Sequence, residues 1–414
     1  MKKTPGIKLP EEYLRLEEEQ KEAELLADAM RKAEAVEIMP LVERLERMAD
    51  PRVAGRSDHI LVDIMVIALC AIICGAEHWT EIEAFGRSKE PWFRSFLRLP
   101  NGIPSHDTIG RVFAILDPKQ LRQCYADWIQ EFMKGVKARN VSVDGKTACG
   151  SRHDSDGKTA IHMVSAYAQE HGLVLTQEKV AEKSNEITAL PEVLKRLDLA
   201  ETTVSIDAMG CQKEIAQQIK KQGGEYVLSL KGNHGKLASA VAHHFECAER
   251  DQFALLDHDA HTTLDGGHGR VETRRYDVIG DAGWLDPGGQ WGGLAAVGRV
   301  ASERAIKGGD GTKSREVRYY ILSRRFTAAE FAEASRSHWG IENSLHWHLD
   351  VAFREDECRV HSGHAAENFV VLRHIALGLL KQGKRVKLGI KSRRKVAGWD
   401  ESYLLELLKG DFRS

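Results

Sequence analysis

Residues 141–144 read VSVD and residues 204–207 read VSID, so one short pattern occurs twice in the chain. Each stretch alternates apolar and polar residues, which predicts a short β-strand that ends in a carboxylate, Asp144 or Asp207. If the strands are neighbours in one sheet, both carboxylates converge at its edge. Converging carboxylates repel each other, so a divalent cation is their natural partner, and oxygen ligands suit Mg²⁺ or Mn²⁺ better than zinc. The alternative is that each aspartate only caps a following helix.

The segments around these two stretches predict a mixed sheet flanked by helices. A glycine-containing turn at residues 169–172 joins two strands into a hairpin, and helices separate the later strands. The predicted strands are 141–144, 160–168, 173–180, 203–207 and 225–230, and the predicted helices are 187–197 and 212–221. This order of elements predicts an α/β core over residues 139–257.

The regions outside this core differ from it in composition. Residues 51–138 are predicted to be an all-α domain, and within them residues 60–74 form an apolar run that contains Asp63. That run is shorter than the roughly 20 residues that a membrane span needs, so we expect a buried helix and no membrane partner. Residues 258–326 alternate strand formers with glycine turns, which predicts a β-rich insertion. Helices return in residues 327–380.

Charge is distributed unevenly along the chain. The whole sequence contains 59 Lys and Arg against 61 Asp and Glu, a formal net charge of −2. Residues 11–50 hold 13 acidic and 6 basic residues, which predicts an exposed acidic helical arm over residues 1–50. Residues 381–395 hold eight Lys or Arg and no acid, which predicts a basic tail over 381–414, either solvated or in contact with phosphate. The near-neutral total therefore does not exclude a nucleic-acid partner.

The cysteines and histidines do not form a metal-binding or disulfide pattern. The seven cysteines are scattered without CxxC pairs, and the first residues contain no apolar signal-peptide segment, so we expect reduced thiols in a cytoplasmic protein. No Cys or His pair has the spacing of a zinc finger, which argues against structural zinc. The histidines considered are His338, His346, His348, His361 and His364.

A third candidate carboxylate lies in residues 338–350, which read HWGIENSLHWHLD. Helical spacing places one apolar stripe on this segment, formed by Ile341, Leu345 and Leu349. Glu342 lies at the edge of the stripe, with His338 and His346 one turn away on either side. A charged residue that borders a core-facing stripe points towards the surface on which the helix packs, and we expect this surface to be the sheet that carries both aspartates.

Several stretches, in this order, resemble the DDE transposases of bacterial insertion sequences, specifically the H-repeat-associated (ISAs-type) family. The matching stretches are LCAIICGAE at 69–77, LPNGIPSHDT at 99–108, DGK at 144–146, IDAMGCQK at 206–213, YVLSLKGN at 226–233, HWGIEN at 338–343 and LHW at 345–347. The resemblance extends over roughly residues 45–380 and leaves out the acidic arm.

The resemblance implies an RNase H-like catalytic core with a β insertion ahead of the helix that bears the third acid. It implies that Asp144, Asp207 and Glu342 form an acidic triad that binds two Mg²⁺ or Mn²⁺ ions. The implied reaction is DNA cleavage at terminal inverted repeats followed by strand transfer to target DNA. Because two DNA ends must be paired, the resemblance also implies a homodimer on DNA.

The sequence departs from the related insertion sequences around the third acid. The larger group often has a Tyr-Arg-Glu-Lys pattern there, and the matching positions in this chain are Ser335, His338, Glu342 and Leu349. Only the glutamate is kept. The candidate cations that would hold DNA near the third acid are therefore Arg336, His338 and His346.

Other candidate DNA contacts lie elsewhere in the chain, at Lys146, Lys231, Asn233, Arg270 and Arg274. Lys231 and Asn233 follow a predicted strand near the site, and an ordinary exposed turn is the alternative. Arg270 and Arg274 alternate with Glu272 on one strand face. That pattern fits either DNA contact or a cross-strand ladder of salt bridges.

Three functions stay open from the sequence. The first is a DNA transposase that cleaves and joins strands in one metal site. The second is a decayed or domesticated copy that binds DNA without cutting it, against which the intact triad argues. The third is a metal-dependent nuclease without strand transfer. An unrelated binding scaffold gives no reason for three acids at these positions.

Overall fold

A computed structural model describes residues 40–53, 55–152, 159–181, 184–267, 269–306 and 313–410. By its internal contacts the chain divides into two compact units. The first comprises Met1–Cys124, Ser362–Asn368 and Gly383–Ser414, and the second comprises Tyr125–His361 and Phe369–Gln382. Most of the predicted acidic arm, residues 1–39, lies outside the described residues.

The described residues contain the predicted helices and strands together with others that were not predicted. The α-helices are α1 Pro40–Glu46, α2 Leu61–Cys74, α3 Trp79–Ser88, α4 Glu90–Phe93, α5 His106–Ile115, α6 Pro118–Phe132, α7 Glu186–Lys195, α8 Lys213–Lys221, α9 Gly235–Arg250, α10 Ala328–Ile341, α11 Trp347–Val351, α12 Ala365–Gln382, α13 Ile390–Trp399 and α14 Glu401–Lys409. The strands are β1 Asn140–Ala148, β2 Ile161–Ala168, β3 Leu173–Lys179, β4 Thr203–Ile206, β5 Glu225–Leu230, β6 His258–Gly267, β7 Arg270–Ile279, β8 Ala296–Ile306 and β9 Lys313–Leu322.

Helix α2 is buried along almost its whole length, as its apolar sequence predicts. Every residue from Leu61 to Ile73 is buried. Asp63 is tolerated there because its carboxylate accepts a hydrogen bond from the Leu99 amide at 2.9 Å, although burial raises its pKa. In the described part of the chain no single helix is long and apolar enough to cross a membrane. Only the pair α2 and α3, bent by 98°, passes on length and composition when the two are taken together.

Two segments that were expected to be exposed are packed instead. Helix α1, at the end of the predicted acidic arm, buries Leu41, Val42 and Leu45. Residues 390–409, expected as part of a basic tail, form α13 and α14, and Arg394 of α13 is buried. Its guanidinium donates hydrogen bonds to the carbonyls of Ile72 and Ile73 at the end of α2, at 2.8 and 3.3 Å. The number of basic residues predicted a solvated tail. The prediction is wrong because the same residues belong to helices that also have an apolar face.

The second unit is built on one nine-stranded mixed sheet in the order β3-β2-β1-β4-β5-β9-β8-β7-β6. Strands β1, β4 and β5 are parallel neighbours, and every other pairing is antiparallel. One face of β1 and β4 is apolar and packs on α7 and α8. The core on that face includes Val141, Val143, Val204, Ile206, Leu190, Val193, Ile215 and Ile219. This architecture confirms the predicted mixed α/β sheet flanked by helices.

The four strands within residues 258–326 continue this sheet, because β9 pairs with β5. Strand β6 was not predicted, since its residues HDAHTTLDGG are mostly polar and lie on an exposed edge. Helix α9 was not predicted either, although Val241, Phe245 and Ala248 form a buried stripe with helical spacing.

A buried carboxylate on β7 contacts side chains of both neighbouring strands, β6 and β8. Asp277 of β7 is fully buried and contacts Arg299 of β8 at 2.8 Å and His258 of β6 at 3.0 Å. Burial alone would raise the pKa of Asp277. The hydrogen bonds from Arg299 and His258 outweigh burial and hold that pKa below its usual range.

Replacing Asp277 by Ala is expected to lower the free energy of unfolding by about 3–5 kcal/mol, because Arg299 loses its buried partner. Urea denaturation followed by circular dichroism measures the change. Asp265, a half-exposed carboxylate of β6, provides the control, and Asp265→Ala is expected to cost less than about 1 kcal/mol. Equal losses in the two variants would contradict this assignment.

Candidate active site

Asp144 and Asp207 lie side by side because β1 and β4 pair in parallel with Val143 opposite Ile206. Asp144 follows Val143 within β1, Asp207 is the first residue after β4, and paired strands run about 4.8 Å apart. The convergence that the sequence predicts is therefore present. The helix-capping alternative is wrong for both residues. Asp144 lies inside β1, and the Asp207 carboxylate accepts a hydrogen bond from the Met209 amide at 2.9 Å, while α8 begins only at Lys213.

Three serines, which we call the serine row, lie between α10 and the sheet face that carries both aspartates. Residues two apart on a strand share a face, so Ser142 lies on the face of Asp144, and Ser205 on the face of Asp207. The Ser205 hydroxyl is 3.1 Å from that of Ser142, which is 3.4 Å from the hydroxyl of Ser337 on α10. All three serines are buried. Small hydroxyl side chains let the helix lie close to the sheet and supply polar partners for one another.

The third acid begins a π-helical turn. The helix runs from Ala328 to Val351, and within it Glu342–His346 form the π turn. Such turns arise where an extra residue is accommodated, frequently at functional sites. Lys381 of α12 supports this turn, because its ammonium donates hydrogen bonds to the Ser344 carbonyl and to the Tyr167 hydroxyl. Burial lowers the pKa of Lys381 to about 7.

The π turn lies over the first aspartate. Nδ1 of His346, in the last position of the turn, is 3.7 Å from a carboxylate oxygen of Asp144. Glu342, at the first position, is exposed. Gly340, two residues before Glu342, is in such close contact with Gln169 that a Cβ there would overlap the Gln169 side chain. The end of the turn therefore contacts Asp144 through His346, and the negative charge of Glu342 acts on the same carboxyl.

The electrostatics of Asp144 show the cost of gathering these acids. Burial, the negative charge of Glu186 and the smaller effects of the charges of Asp207 and Glu342 together raise the pKa of Asp144 to about 7, against the opposing hydrogen bond from the Gly145 amide. Repelling oxygen donors of this kind fit Mg²⁺ or Mn²⁺ in their chemistry. Within the described ranges, no three Asp, Glu, His or Cys side chains are already gathered around one ion position.

His338 and His346 are uncharged at neutral pH. Burial lowers the pKa of both imidazoles, to about 4 for His346. If either contacts a phosphate, as the sequence predicts, the contact is a hydrogen bond and not a salt bridge.

Three of the predicted DNA contacts, Lys231, Asn233 and Arg270, lie next to the ends of strands. Lys231 is exposed after β5, and the neighbouring Asn233 donates a hydrogen bond to the Ala208 carbonyl, beside Asp207. Arg270 is exposed at the start of β7. Asn233 therefore braces the loop that carries the second acid.

Arg274 and Arg336 belong to the ladder of salt bridges that was the alternative to DNA contact. Both contact Asp265 at 2.6 Å, and Arg274 also contacts Glu272, which contacts Arg304 of β8. The same arginines line a cavity of about 680 Å³ next to Glu342, together with Arg139. The ladder thus presents positive side chains beside the third acid.

Lys146 is held by acids that sequence analysis did not single out. Its ammonium is 2.7 Å from Asp350, 3.6 Å from Asp356 and 3.7 Å from Glu355. Only 12% of the Lys146 side chain is exposed. The contacts join β1, two residues after Asp144, to the segment that follows the third acid. No local signal pairs Lys146 with residues 200 positions away.

Glu186 was also missed. It lies one residue before the predicted helix 187–197, and its negative charge contributes to the raised pKa of Asp144.

Replacing Lys146 by Met is expected to lower the free energy of unfolding by about 3 kcal/mol, because the fully buried Glu355 loses a positive neighbour. Thermal or urea unfolding measures the loss. The exposed Lys137, which contacts Glu201 at 2.8 Å, is the control, and Lys137→Met is expected to cost less than about 1 kcal/mol. A Lys146 variant as stable as the control would show that the cluster does not contribute to stability.

Without metal, Asp144 is expected to destabilise the fold as pH rises. The unfolded carboxyl ionises near its ordinary value of 3.8, whereas the folded group keeps its proton until about pH 7. Asp144→Asn is therefore expected to be more stable than the natural protein by about 1–4 kcal/mol at roughly pH 8, with no difference near pH 4. Urea denaturation in EDTA at both pH values tests this, and a difference independent of pH would refute it.

Comparison of the sequence with known proteins assigns this chain to a family. The family model for the Transposase DDE domain matches residues 111–379, and the model described as DDE_Tnp_1-associated matches residues 42–129. The chain is 39% identical over 378 residues to the "H repeat-associated putative transposase YhhI" of Escherichia coli (strain K12), covering 91% of this chain and 99% of that protein.

One further relative and one solved structure are also similar to this chain. The chain is 40% identical over 372 residues to the "Putative transposase YncI" of Escherichia coli O157:H7, covering 90% of this chain and 95% of that protein. A cryo-EM structure of the piggyBac transposase synaptic complex with hairpin DNA aligns with a TM-score of 0.42 at 9% identity, covering 94% of this chain and 82% of that one. That likeness is too low to carry an argument.

Proposed function

Because this chain belongs to the DDE transposase family, we propose that it cleaves DNA at the ends of an insertion sequence and joins the freed ends to target DNA. The observation that carries the proposal is the parallel register of β1 and β4, which sets Asp144 beside Asp207 under the turn that bears Glu342. We assign the strands β3-β2-β1-β4-β5 to an RNase H-like core, which is supported by three parallel strands flanked on one side by an antiparallel hairpin.

Asp144, Asp207 and Glu342 would hold divalent metal, two Mg²⁺ or Mn²⁺ ions. When bound, such ions lower the pKa of an attacking water and stabilise the charge that develops on the attacking and leaving oxygens of the phosphodiester. Other side chains of this chain would position the elements that carry the acids. The serine row orients α10, and the Lys146 cluster holds the end of the third-acid helix against β1.

DNA would be held mainly through its phosphates. Arg139, Arg274, Arg304 and Arg336 line the cavity beside Glu342, where a backbone phosphate could pass the acids. The proposed DNA partners are the terminal inverted repeats and the target, bound by a homodimer that pairs two ends. With seven free cysteines, we place this reaction in the cytoplasm, at the nucleoid.

Asp144→Asn, Asp207→Asn and Glu342→Gln are each expected to lower Mg²⁺-dependent cleavage of an inverted-repeat oligonucleotide by more than about 100-fold. Each substitution removes one carboxylate charge at nearly constant shape, so binding of the DNA end is expected to stay within about threefold. Gel assays of cleavage and joining, together with fluorescence anisotropy, measure both. Glu201→Gln, at an exposed site, is the control.

The three candidate functions give different results in that assay. Cleavage and joining support the transposase, whereas cleavage without joining supports the nuclease. Binding without cleavage by the natural protein supports the decayed copy. Robust cleavage by one of the three variants would remove that residue from the triad.

A further inference from the structure

The π turn that begins at Glu342 joins two parts of one helix, and each part is held in place by its own packing. Before the turn, the backbone at Gly340 lies against the side chain of Gln169. After the turn, Leu349 is fully buried. A π turn contains one residue more than a regular α-helical turn, so loss of the turn would rotate one part of the helix relative to the other by about 100°. The direction of the Glu342 side chain therefore depends on the turn.

A lysine from another helix binds the middle of this turn. Ser344 is the third of the five residues of the turn, and its carbonyl accepts a hydrogen bond from the ammonium of Lys381 on α12. The same ammonium donates to the hydroxyl of Tyr167, a buried residue of β2, at 2.6 Å. The methylene chain of Lys381 lies against Gly172, where a Cβ would be 3.2 Å from Cδ of the lysine. Contacts along the whole side chain thus direct the ammonium at the turn.

Lys381 has no acidic partner that would explain its charge. In the part of the chain that the structure describes, no carboxylate pairs with its ammonium, and burial lowers its pKa to about 7. An ammonium that is partly removed from water without a carboxylate costs folding free energy, and a methionine would fill the same space without that cost. Packing of α12 therefore gives no reason for a lysine at this position, whereas the Ser344 carbonyl does.

We propose that Lys381 is a positioning residue, which keeps the turn in its π form by binding the Ser344 carbonyl and thereby directs Glu342 towards the divalent metal. In a regular α-helix that carbonyl would pair with the amide four residues later, so a bound ammonium favours the widened turn. This inference rests on the proposed function, because it needs the metal that the triad would bind. The competing explanation is that Lys381 only attaches α12 to the hairpin of β2 and β3. Its loss would then change stability and leave metal affinity unchanged.

Two substitutions of Lys381 separate these explanations. Lys381→Met nearly keeps the shape and removes the donor, whereas Lys381→Arg keeps a positive charge and donors. In the full-length protein without DNA, we expect Lys381→Met to raise the Mn²⁺ dissociation constant by about tenfold or more, and Lys381→Arg to stay within about threefold of the natural protein. Isothermal titration calorimetry measures the affinity, and circular dichroism checks the fold.

Gln382→Met is the matched control. Gln382 is the next residue of the same helix, and its side chain donates a hydrogen bond to the His171 carbonyl in the same hairpin. This substitution removes a contact between α12 and the hairpin without touching the π turn, so it is expected to leave the Mn²⁺ constant unchanged. An affinity for Lys381→Met equal to that of the control would overturn the proposal. A loss as large with arginine as with methionine would equally overturn it.

A second measurement follows the turn itself, without metal or DNA. Hydrogen exchange detected by mass spectrometry reports local opening of the backbone. A peptide over residues 342–348 is expected to exchange about tenfold faster in Lys381→Met than in the natural protein, whereas a peptide over residues 328–337 keeps its natural rate. An unchanged rate over residues 342–348 would contradict the proposal. If Lys381→Met does not fold, Tyr167→Phe replaces it. That change removes one partner of the ammonium and is expected to raise the Mn²⁺ constant by about threefold, and an unchanged constant then refutes the proposal.

Glu342→Gln distinguishes failure of this inference from failure of the proposed function. If Glu342→Gln loses Mn²⁺ affinity while Lys381→Met keeps it, only the role of Lys381 is wrong. If the natural protein binds no Mn²⁺ and cuts no DNA, the proposed function is wrong and this inference is wrong with it.

Discussion

The parallel pairing of β1 with β4 is the constraint on which the rest of the second unit depends. A shift of one residue in that register would turn Asp207 to the face opposite Asp144. Burial of Val141, Val143, Val204 and Ile206 against α7 and α8 opposes such a shift. The same alternation leaves Ser142 and Ser205 on the other face, where α10 is seated. The apolar core on one face thus determines the position of the acids on the other.

Gathering carboxylates at one edge costs folding free energy, and the surrounding structure limits that cost. Asp144 stays protonated up to about pH 7 without metal, while His346 above it stays neutral. Most of the positive side chains nearby already form salt bridges with other acidic residues. Lys146 is held by three acids, and Arg274 and Arg336 share Asp265. The site is therefore left with negative charge that a divalent cation would satisfy.

Much of the fold was predictable because it depends on local pattern. Strand β5 has the predicted bounds of 225–230, and the long helix that bears Glu342 lies where the apolar stripe predicts it. The errors have physical causes. Strand β6 is polar because it is an exposed edge, so it lacks apolar alternation. Residues 390–409 look like a basic tail because charge count hides the apolar face of two helices.

Local sequence was enough to predict which two strands carry Asp144 and Asp207 and which helix carries Glu342, because alternation and helical spacing are short-range patterns, although β1 continues past Asp144 to Ala148. The contacts between charged groups depend on the tertiary structure. Lys146 meets Asp350 and Glu355, and Glu186 meets His162, because strand order and helix packing bring distant segments together. The π turn at Glu342 is likewise a product of packing, since the local sequence is compatible with a regular helix. Contacts between distant residues leave no periodic signal in one sequence, and the chemistry of this site depends on them.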